Sequence, residues 1–450
     1  MKKMVSALVA AVLAGCILTG CGGTNAADPG GTGTAEAGQT ADADAGASGG
    51  GKVKIRFMHQ WAEENRLPYW NALTEAYMAE HPDVIIETEV IPNEAYKEKI
   101  RIMLGGGDMP DLFFTWDGEW VKRFANSGAI ADLTPYLEED AAFKDAFNQG
   151  ILTTGQVDGK QYSLPIRTCV NFVLYNTKVF EQYNLQEPKT WDEFMNVCET
   201  LKANGVTPLA MGDAEQWAAA HYISALNVQM VPMETLEGDY YLTSGAFSDP
   251  GYVKALQLVK DMYDKGYFME GMPSTSQNIA KEMFAAGQTA MIYDQCASFK
   301  TQYFDKMEEG SWDIFPLPQV AGAAGNTETM VAWIDQFAVS SKSEHPEVVV
   351  DFLKFFYNEA NQKQMQKELG FVSTVNSVAG DDQDSFPQLR KAVDIINQCE
   401  GFISVLDVEM DGAVANVYQS SIQEMFTTKT PEDVMNAVRA EVERVKAEQK

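Results

Sequence analysis

Between residues 53 and 114 the spacing of apolar residues switches repeatedly between the period of a strand and that of a helix. Residues 53–57 alternate apolar and polar side chains, as in a strand with one buried face. Trp70, Leu73 and Tyr77 then recur at helical spacing. The predicted elements are a strand over 53–57, a helix that ends at His81-Pro82, a strand over 84–90, a helix over 94–104 that three glycines end, and a strand over 112–114. Strands and helices that alternate in this way predict a parallel sheet covered by helices.

A second block of alternating elements follows Leu164-Pro165. A strand is predicted over 170–175. Thr190 then begins a helix as its N-cap, with Glu193 at the reciprocal position of a capping box. Two further helices are predicted, one from Pro346 to Tyr357 and one from Thr430-Pro431 onward. With no internal repeat in the sequence, the pattern as a whole predicts an α/β fold with at least two sheets.

Residues 1–21 have the layout of a secretory signal. A pair of lysines precedes an uncharged, mostly apolar run over 4–17, and small residues then lead to Cys21. The run is too short to span about 30 Å of hydrocarbon. Its end resembles the lipobox of bacterial lipoproteins, in which the cysteine after the cleavage site carries the lipid. We therefore predict a lipoprotein signal peptide with lipidation at Cys21. Lipidation at Cys16 and an ordinary cleaved signal are the alternatives.

The segment that follows, residues 22–51, is dominated by Gly, Ala, Thr, Ser and Asp and contains no aromatic residue. Such a segment buries too little apolar surface to offset its loss of conformational entropy, so we predict a disordered tether. A lipid anchor followed by a tether holds a globular body at the outer face of the cell membrane. The protein is therefore expected to work outside the cytoplasm.

The body of the chain, residues 52–450, is long enough for two domains and has no apolar run long enough to cross a bilayer. The formal net charge of the chain is −30 at pH 7. Nucleic acid and anionic lipid surfaces both require basic patches, so the charge argues against either as a partner. We favour an acidic, solvated exterior as the interpretation, and a cationic ligand such as a polyamine is the alternative.

The cysteines and histidines give little sign of metal chemistry. The histidines form no group at the spacing of metal ligands, so no zinc or transition-metal site and no cofactor are expected. Disulfides and buried free thiols both stay open for the cysteines of the body, because no CxxC pair occurs. These cysteines are Cys169, Cys198, Cys296 and Cys399.

The motifs of catalysis are poorly represented. No GxSxG, HExxH, Walker A or GxGxxG sequence occurs in its structural context. Residues from Asp407 onward imitate the start of an EF-hand loop, but Tyr418 stands where that loop needs a glutamate. We therefore predict a protein that is not an enzyme. A secreted glycosidase or lyase stays the alternative, because a sequence does not show which acidic loops converge.

Several short motifs, each weak alone, recur in an order that resembles one family. They lie at 105–111, 159–165, 174–180, 190–194, 284–291 and 345–347. The chain resembles the extracellular solute-binding proteins of carbohydrate ABC transporters, of the maltose- and oligosaccharide-binding type. The resemblance implies a periplasmic-binding-protein-like fold, with two α/β lobes joined by a hinge and the ligand in the cleft between them. It also implies that a monomer captures a sugar or oligosaccharide and delivers it to permease subunits by hinge closure.

The same resemblance implies where the lobes begin and end. Lobe one would take residues 52–165 and 318–369. Lobe two would take residues 166–317 and 370–450. The surfaces that dock on the permease are not identified by any residue pattern.

Loops at the predicted strand ends carry aromatic residues beside carboxylates. Open α/β sheets bind ligands beyond the carboxyl ends of their strands, which selects the loops after Phe57, Phe114 and Met291. A sugar has C–H faces that indole rings cover, and hydroxyls that donate hydrogen bonds to carboxylates. The candidate ligand-binding residues are therefore Trp61, Glu63, Trp116, Asp117, Arg167, Trp217, Asp294, Trp333 and Asp335.

Each candidate also has a structural interpretation. A tryptophan is usually largely buried, so every candidate indole is open to a place in the core. Trp217 and Trp333 are assigned to the cleft because both are expected in polar loops. Glu63 and its neighbour Glu64 are not distinguished by sequence. Arg167 has two equal interpretations, binding of an acidic sugar or pairing with a carboxylate of one of the lobes.

The chain departs from the family pattern after residue 293. Relatives place a glycine and then an aromatic residue there, whereas this chain has Asp-Gln-Cys-Ala-Ser-Phe over 294–299. The stacking ring of lobe two is therefore missing or supplied by Phe299. Asp294 is retained as a candidate acceptor for a hydroxyl, and Cys296 is expected to pack in the core.

Overall fold

The structure is a computed structural model that describes residues 52–378 and 387–448. Its strands are β1 Val53–His59, β2 Val84–Val90, β3 Leu112–Trp116, β4 Gln156–Val157, β5 Lys160–Gln161, β6 Ser163–Asn176, β7 Thr207–Ala210, β8 Thr289–Gln295, β9 Trp312–Phe315, β10 Thr329–Val339, β11 Val372–Ser373 and β12 Gly401–Ile403. The predicted signal peptide, the lipidation at Cys21 and the tether all lie outside the described residues.

Helices fill most of the chain between these strands. They are α1 Leu67–Glu80, α2 Asn93–Gly106, α3 Glu119–Asn126, α4 Thr134–Glu139, α5 Ala141–Ala146, α6 Gln149–Leu152, α7 Thr177–Gln182, α8 Trp191–Ala203, α9 Trp217–Met230, α10 Met233–Tyr240, α11 Pro250–Asp264, α12 Gln277–Ala285, α13 Pro346–Phe356, α14 Glu359–Leu369, α15 Pro387–Ile396, α16 Leu406–Glu409, α17 Gly412–Met425 and α18 Pro431–Glu448. Among the described residues, no helix is long and apolar enough to cross a membrane.

Local sequence signals place several of these elements correctly. β2 has the predicted bounds. The capping box of α8 is formed, because Thr190 Oγ1 accepts from the Glu193 amide at 3.3 Å and Glu193 Oε2 accepts from the Thr190 amide at 3.2 Å. The predicted end of α2 is wrong by two residues. Only Gly107 adopts the left-handed conformation that ends that helix, with φ of 68°.

The main sheet has the strand order β2-β1-β3-β10-β6-β8-β7. β1 is parallel to both β2 and β3, as the alternating pattern predicts. β10 runs antiparallel to β3 and to β6, and β8 is antiparallel to β6 but parallel to β7. Strands β4 and β5 form a separate hairpin. The fold is therefore α/β, with one mixed main sheet whose two ends carry parallel pairs.

The long strand β6 connects the two ends of this sheet. Its residues Ser163 to Val170 pair with β10, and from Asn171 onward it pairs with β8 and β9. The strand is continuous through the junction predicted at Pro165, and its change of partners falls five residues later. Residues 51–450 cluster as one compact unit, so the predicted lobe boundaries stay predictions.

The cysteines of the body are all free, and Cys169, Cys198 and Cys296 are buried. Burial raises the pKa of each of these thiols, which keeps them protonated and inert at neutral pH. Of the two alternatives, free thiols and disulfides, the structure has free thiols.

Candidate functional site

The carboxyl ends of β1, β3 and β8 open onto one cavity of about 470 Å³. Gln60 to Glu63 follow β1, Trp116 ends β3 and Gln295 ends β8. This is where the rule for open α/β sheets places a ligand. The volume is in the range of cavities that hold small organic ligands.

The lining contains two groups of side chains, which differ in the elements that carry them. The first group, which we call the strand floor, lies on or directly after β1, β3, β6 and β10. It consists of Trp61, Glu63, Arg66, Trp116, Arg167, Trp333 and Asp335. The second group, which we call the helix wall, lies on or beside α9, α12 and α16. It consists of Glu215, Trp217, His221, Gln277, Lys281 and Asp407.

Three residues of the strand floor lie in one row across the sheet. Asp335 on β10 is opposite Trp116 on β3 and opposite Arg167 on β6. Directly beyond this row the register of β6 and β10 shifts, so that Ile166 has no opposite residue. Bulges of this kind are common beside functional sites, where they redirect side chains. Trp333 lies two residues from Asp335 and therefore on the same face of β10.

The pair formed by Arg167 and Asp335 is buried beneath the cavity. Arg167 Nε donates to Asp335 Oδ2 at 2.6 Å, and the two side chains are 4% and 1% exposed. Burial is the largest single influence on Arg167 and lowers its pKa, but Asp335, Cys169 and Glu63 together raise that pKa above its ordinary value. The sequence left two interpretations of Arg167 open, and the structure shows the second, in which Arg167 pairs with a carboxylate.

A second arginine, Arg66, lies beside this pair. Its NH2 group donates to the Ala297 carbonyl at 3.1 Å, and its NH1 group is 3.5 Å from Glu63 Oε1. The guanidinium carbons of Arg66 and Arg167 lie 5.5 Å and 3.9 Å from the centre of the Phe371 ring. Burial lowers the pKa of Arg66, and Arg167 adds to that shift while Glu63 opposes it. Glu63 lines the cavity whereas Glu64 is exposed, which separates two residues that the sequence left equivalent.

Trp61 is fixed by other aromatic rings. Its ring stacks on Trp70 with centroids 4.2 Å apart and planes 7° from parallel, and Phe114 contacts it edge-on at 5.1 Å. Only 1% of its surface is exposed. Trp61 therefore belongs to the aromatic core beneath the cavity as well as to the cavity lining. It is not a free-standing ring in a loop.

The helix wall is centred on His221. The imidazole lies between Trp217 and Trp333, with centroid distances of 5.1 Å and 4.9 Å. Its Nδ1 is 3.1 Å from Asn171 Nδ2, and burial lowers its pKa to about 4, so the ring is neutral at pH 7. Trp217 is the first residue of α9 and Trp333 lies within β10, so the prediction that both lie in loops is wrong. Both nevertheless line the cavity.

Two predicted site residues lie outside the lining. Asp117 is buried behind it, where its Oδ2 accepts from the Ile334 amide at 3.0 Å and fastens the end of β3 to β10. Asp294 Oδ2 accepts from the Tyr303 hydroxyl at 2.7 Å, and its Oδ1 lies 3.1 Å from Lys281 Nζ. Asp294 therefore holds Lys281, which does line the cavity. The remaining candidates from the sequence all line it.

Phe299 does not supply a stacking ring. It is fully buried and packs against Phe172 and Trp312, at centroid distances of 6.0 Å and 5.4 Å. Cys296 is likewise buried, as expected of a packing residue. Phe299 therefore does not replace the stacking ring of lobe two that relatives place after residue 293.

Sequence reasoning missed several residues of the lining. His221 carried a signal, because it follows three alanines in a stretch, residues 217–230, that contains no Asp, Glu, Lys or Arg. Asp407 was considered only as part of an imperfect EF-hand. The missed charged residues and histidine are Arg66, Glu94, Lys97, Glu215, His221, Lys281 and Asp407.

The side chains that line the cavity are of the types found in binding sites for organic ligands. Within the described ranges, no group of three or more His, Cys, Asp or Glu side chains is arranged to hold a metal ion. Tryptophans, guanidinium groups, carboxylates and amides converge instead. Such a set combines flat apolar contact with hydrogen bonding to a polar ligand.

Comparison with known proteins gives consistent results. A family model described as bacterial extracellular solute-binding protein matches residues 61–363. The multiple sugar-binding protein of Streptococcus mutans is 24% identical over 348 residues, which cover 75% of this chain and 78% of that protein. An uncharacterized ABC transporter extracellular-binding protein of Pyrococcus horikoshii is 23% identical over 339 residues, covering 73% of this chain and 74% of its own.

Solved structures agree with the architecture. A chitin oligosaccharide binding protein superposes with a TM-score of 0.82 at 23% identity, covering 88% of this chain and 100% of the other. At this identity the likeness shows the fold, which is the two-lobed fold of solute-binding proteins.

Proposed function

Because the chain belongs to the family of bacterial extracellular solute-binding proteins, we propose that it is the substrate-binding component of an ABC importer for a sugar or oligosaccharide. It captures the sugar outside the cell and delivers it to the permease subunits in the membrane. The observation that carries the proposal is the cavity in which Trp61, Trp116, Trp217 and Trp333 meet charged and amide side chains. The name of the Streptococcus mutans relative and the name of the solved structure support the same class of ligand. The name of the Pyrococcus horikoshii relative supports a role in an ABC transporter.

The charges of the lining favour an uncharged ligand over a polyamine. Cationic and anionic side chains are interleaved around the cavity, so it has no strongly negative wall for a polycation. The cations are Arg66, Lys97, Arg167 and Lys281, and the anions are Glu63, Glu94, Glu215, Asp335 and Asp407. The acidic balance of the whole chain therefore belongs to its exterior, which is the interpretation that we favour for the −30 charge.

Closure about a hinge is the proposed route from capture to delivery. Contacts already join the segment that follows β1 to residues that follow β8: Asn65 Nδ2 donates to the Thr301 carbonyl at 2.9 Å, and Arg66 donates to the Ala297 carbonyl. A ligand that contacts both sides stabilises the form in which they are close. That form is the one that the permease would recognise.

We also propose that the mature protein is a monomer, held at the outer face of the cell membrane by lipid on Cys21. The sequence of residues 1–51 supports this proposal, and family membership supports an extracellular place of work. Cys21→Ala should release the protein into the medium, whereas Cys16→Ala should leave it attached to cells. The reverse pattern would place the lipid on Cys16.

A sugar panel tests the function directly. We expect one or more neutral oligosaccharides to raise the melting temperature of the protein and to bind with affinity that changes little with salt. Prolonged incubation should release no new reducing ends, whereas a glycosidase or lyase would release them. Absence of binding by every sugar, or binding of spermidine that weakens steeply with salt, would contradict the proposal.

A further inference from the structure

The strand floor contains two ion pairs that are each incompletely hydrogen-bonded. In the first, Arg167 NH1 and Asp335 Oδ1 are buried without a hydrogen-bond partner in the protein. In the second pair, Arg66 Nε and Glu63 Oε2 are also buried without a hydrogen-bond partner in the protein. All four residues line the cavity, and Arg167, Asp335 and Arg66 are at least nine-tenths buried. Buried polar atoms are nearly always satisfied by protein, water or ligand, so those without a protein partner beside a cavity are available to form hydrogen bonds with a ligand.

Each pair therefore has one free N–H donor and one free carboxylate oxygen. A sugar hydroxyl donates one hydrogen bond and accepts others. Two neighbouring hydroxyls on a ring match one ion pair, because one donates to the carboxylate while the other accepts from the guanidinium. Trp61 Nε1, which also has no partner in the protein, adds a further donor at this depth.

The charge of the floor is already balanced before a ligand enters. Arg167 is compensated by Asp335, and Arg66 is compensated by Glu63. Lys281, the cation of the helix wall, is compensated by Asp294. At the strand floor, a carboxylate or an ammonium on the ligand would thus arrive as a buried charge without a partner, which is strongly unfavourable.

We propose that the strand floor recognises an uncharged sugar ring through neighbouring hydroxyls, and that Asp335 is the specificity-determining residue that excludes uronic acids by occupying Arg167. The inference rests on the proposed function and specifies its substrate class. It also accounts for Arg167, which from sequence alone is equally suited to binding an acidic sugar.

Neutral and charged members of the same sugar series test the inference. Calorimetry would compare galactotriose with trigalacturonate, mannotriose with trimannuronate, and chitotriose with its de-N-acetylated, cationic form. In any set that binds, the neutral member should bind about ten-fold or more tightly than the charged member. Tighter binding of a uronate or of the cationic trimer by the native protein would overturn the inference and leave the proposed function standing.

The variant Asp335→Asn leaves Arg167 without its carboxylate, and a uronate can then supply one. We expect the ratio of uronate to neutral affinity to rise about ten-fold or more, and the double variant Asp335→Asn/Arg167→Gln to abolish that rise. Asp108→Asn, which breaks an exposed pair with Arg56 far from the cavity, is the matched control and should leave the ratio unchanged.

If Asp335→Asn fails to fold, Glu63→Gln makes the same test at the second pair, because the Glu63 side chain is 36% exposed and tolerates substitution more readily. An unchanged ratio in a folded variant of either pair would overturn the role of the pairs. Failure of every trimer, neutral or charged, to bind would overturn the inference together with the proposed function.

Discussion

The strand floor and the helix wall line the same cavity but are held in different ways. Floor side chains are fixed from several strands at once: Asp335 is flanked by Arg167 and Trp116 on neighbouring strands, and Trp61 is stacked on Trp70. Wall side chains such as Trp217 extend from single helices, and Trp217 is only partly buried. We infer that the floor contributes to folding and to binding together, whereas Trp217 contributes mainly to binding.

The largest effect is expected when the buried pair of the floor is broken. Arg167→Leu leaves the Asp335 carboxylate buried without its cation, which should lower the free energy of unfolding by about 3–5 kcal/mol. Urea unfolding followed by tryptophan fluorescence measures the change.

The exposed pair of Lys54 and Glu87 provides the matched control for this variant. Its side chains are 63% and 52% exposed, so Lys54→Leu should change stability by about 1 kcal/mol or less. The double variant Arg167→Leu/Asp335→Leu should recover most of the stability that Arg167→Leu loses. A loss equal to that of Lys54→Leu would show that the floor is not held by this pair.

Trp61 of the strand floor and Trp217 of the helix wall compare the two groups most directly. Trp61→Ala removes a stacked, buried ring and should lower the free energy of unfolding by about 3–5 kcal/mol. Trp217→Ala should lower it by about 1 kcal/mol. The affinity for a bound oligosaccharide should nevertheless fall about five-fold in Trp217→Ala, because a ring contact is worth about 1 kcal/mol.

Calorimetry of the folded variants and urea unfolding of both separate the two effects. Trp191→Ala, which removes a buried tryptophan far from the lining, is the control for loss of a core ring without loss of a ligand contact. An unchanged affinity in Trp217→Ala would remove Trp217 from the site. Equal destabilisation by Trp61→Ala and Trp217→Ala would contradict the difference between floor and wall.

A residue beneath the strand floor and a residue behind the helix wall should change the stability of the protein with pH in opposite directions. Beneath the floor, burial lowers the pKa of His59 from 6.5 to about 3. The unfolded chain takes up this proton first, so the stability contributed by neutral His59 falls as the pH drops below 6.5, by about 1.4 kcal/mol per pH unit. Behind the wall, burial raises the pKa of Asp213 from 3.8 to about 7. The folded chain takes up that proton first, so its contribution rises as the pH falls through 7 and is lost as the pH rises.

Substitution of His59 and substitution of Asp213 should therefore change the loss of stability at acidic pH in opposite directions. Between pH 4 and pH 6, His59→Asn should make the protein lose less stability on acidification than the native chain, and Asp213→Asn should make it lose more. Urea unfolding at half-unit steps of pH measures both slopes. Slopes that both change in the same direction would contradict the assignment of the two groups.

The features that sequence predicted correctly are those encoded within a few neighbouring residues. The capping box at Thr190 and the bounds of β2 depend on adjacent side chains, and both were predicted. The strand-end rule also led to the edge of the sheet at which the cavity lies, because the rule needs only the order of strands and helices.

Features that depend on contacts between residues far apart in the sequence could not be predicted from local sequence patterns. Arg167 and Asp335 are 168 residues apart, and only the register of β6 against β10 places them in contact. Asp294 was a reasonable acceptor by type, but Lys281 and Tyr303 occupy its oxygens in the fold. The stretch around Trp333 was predicted to be a polar loop. It is a strand because β6 pairs with residues 332–338 of β10 and β3 pairs with residues 335–339.

The smallest effect is expected at a pair that connects the two sides near the mouth of the cavity. Lys97 on α2 lies 3.8 Å from Asp407 on α16, and its ammonium also lies 5.5 Å from the Trp116 ring. Both side chains are partly exposed, so the pair is worth about 0.2–1 kcal/mol in the closed form. Lys97→Met should therefore weaken oligosaccharide affinity by about two- to five-fold without a measurable change in stability.

Salt separates this contribution from direct contact with the ligand. If the pair stabilises closure, high salt should weaken binding slightly in the native protein and hardly at all in Lys97→Met, since the charge interaction is already absent there. Lys99→Met, on the same helix but outside the lining, should behave as the native protein does because its ion pair with Glu89 does not touch the cavity. A loss of affinity well above ten-fold in Lys97→Met would instead place the ammonium on the ligand itself, and the floor would then share recognition with the mouth of the cavity.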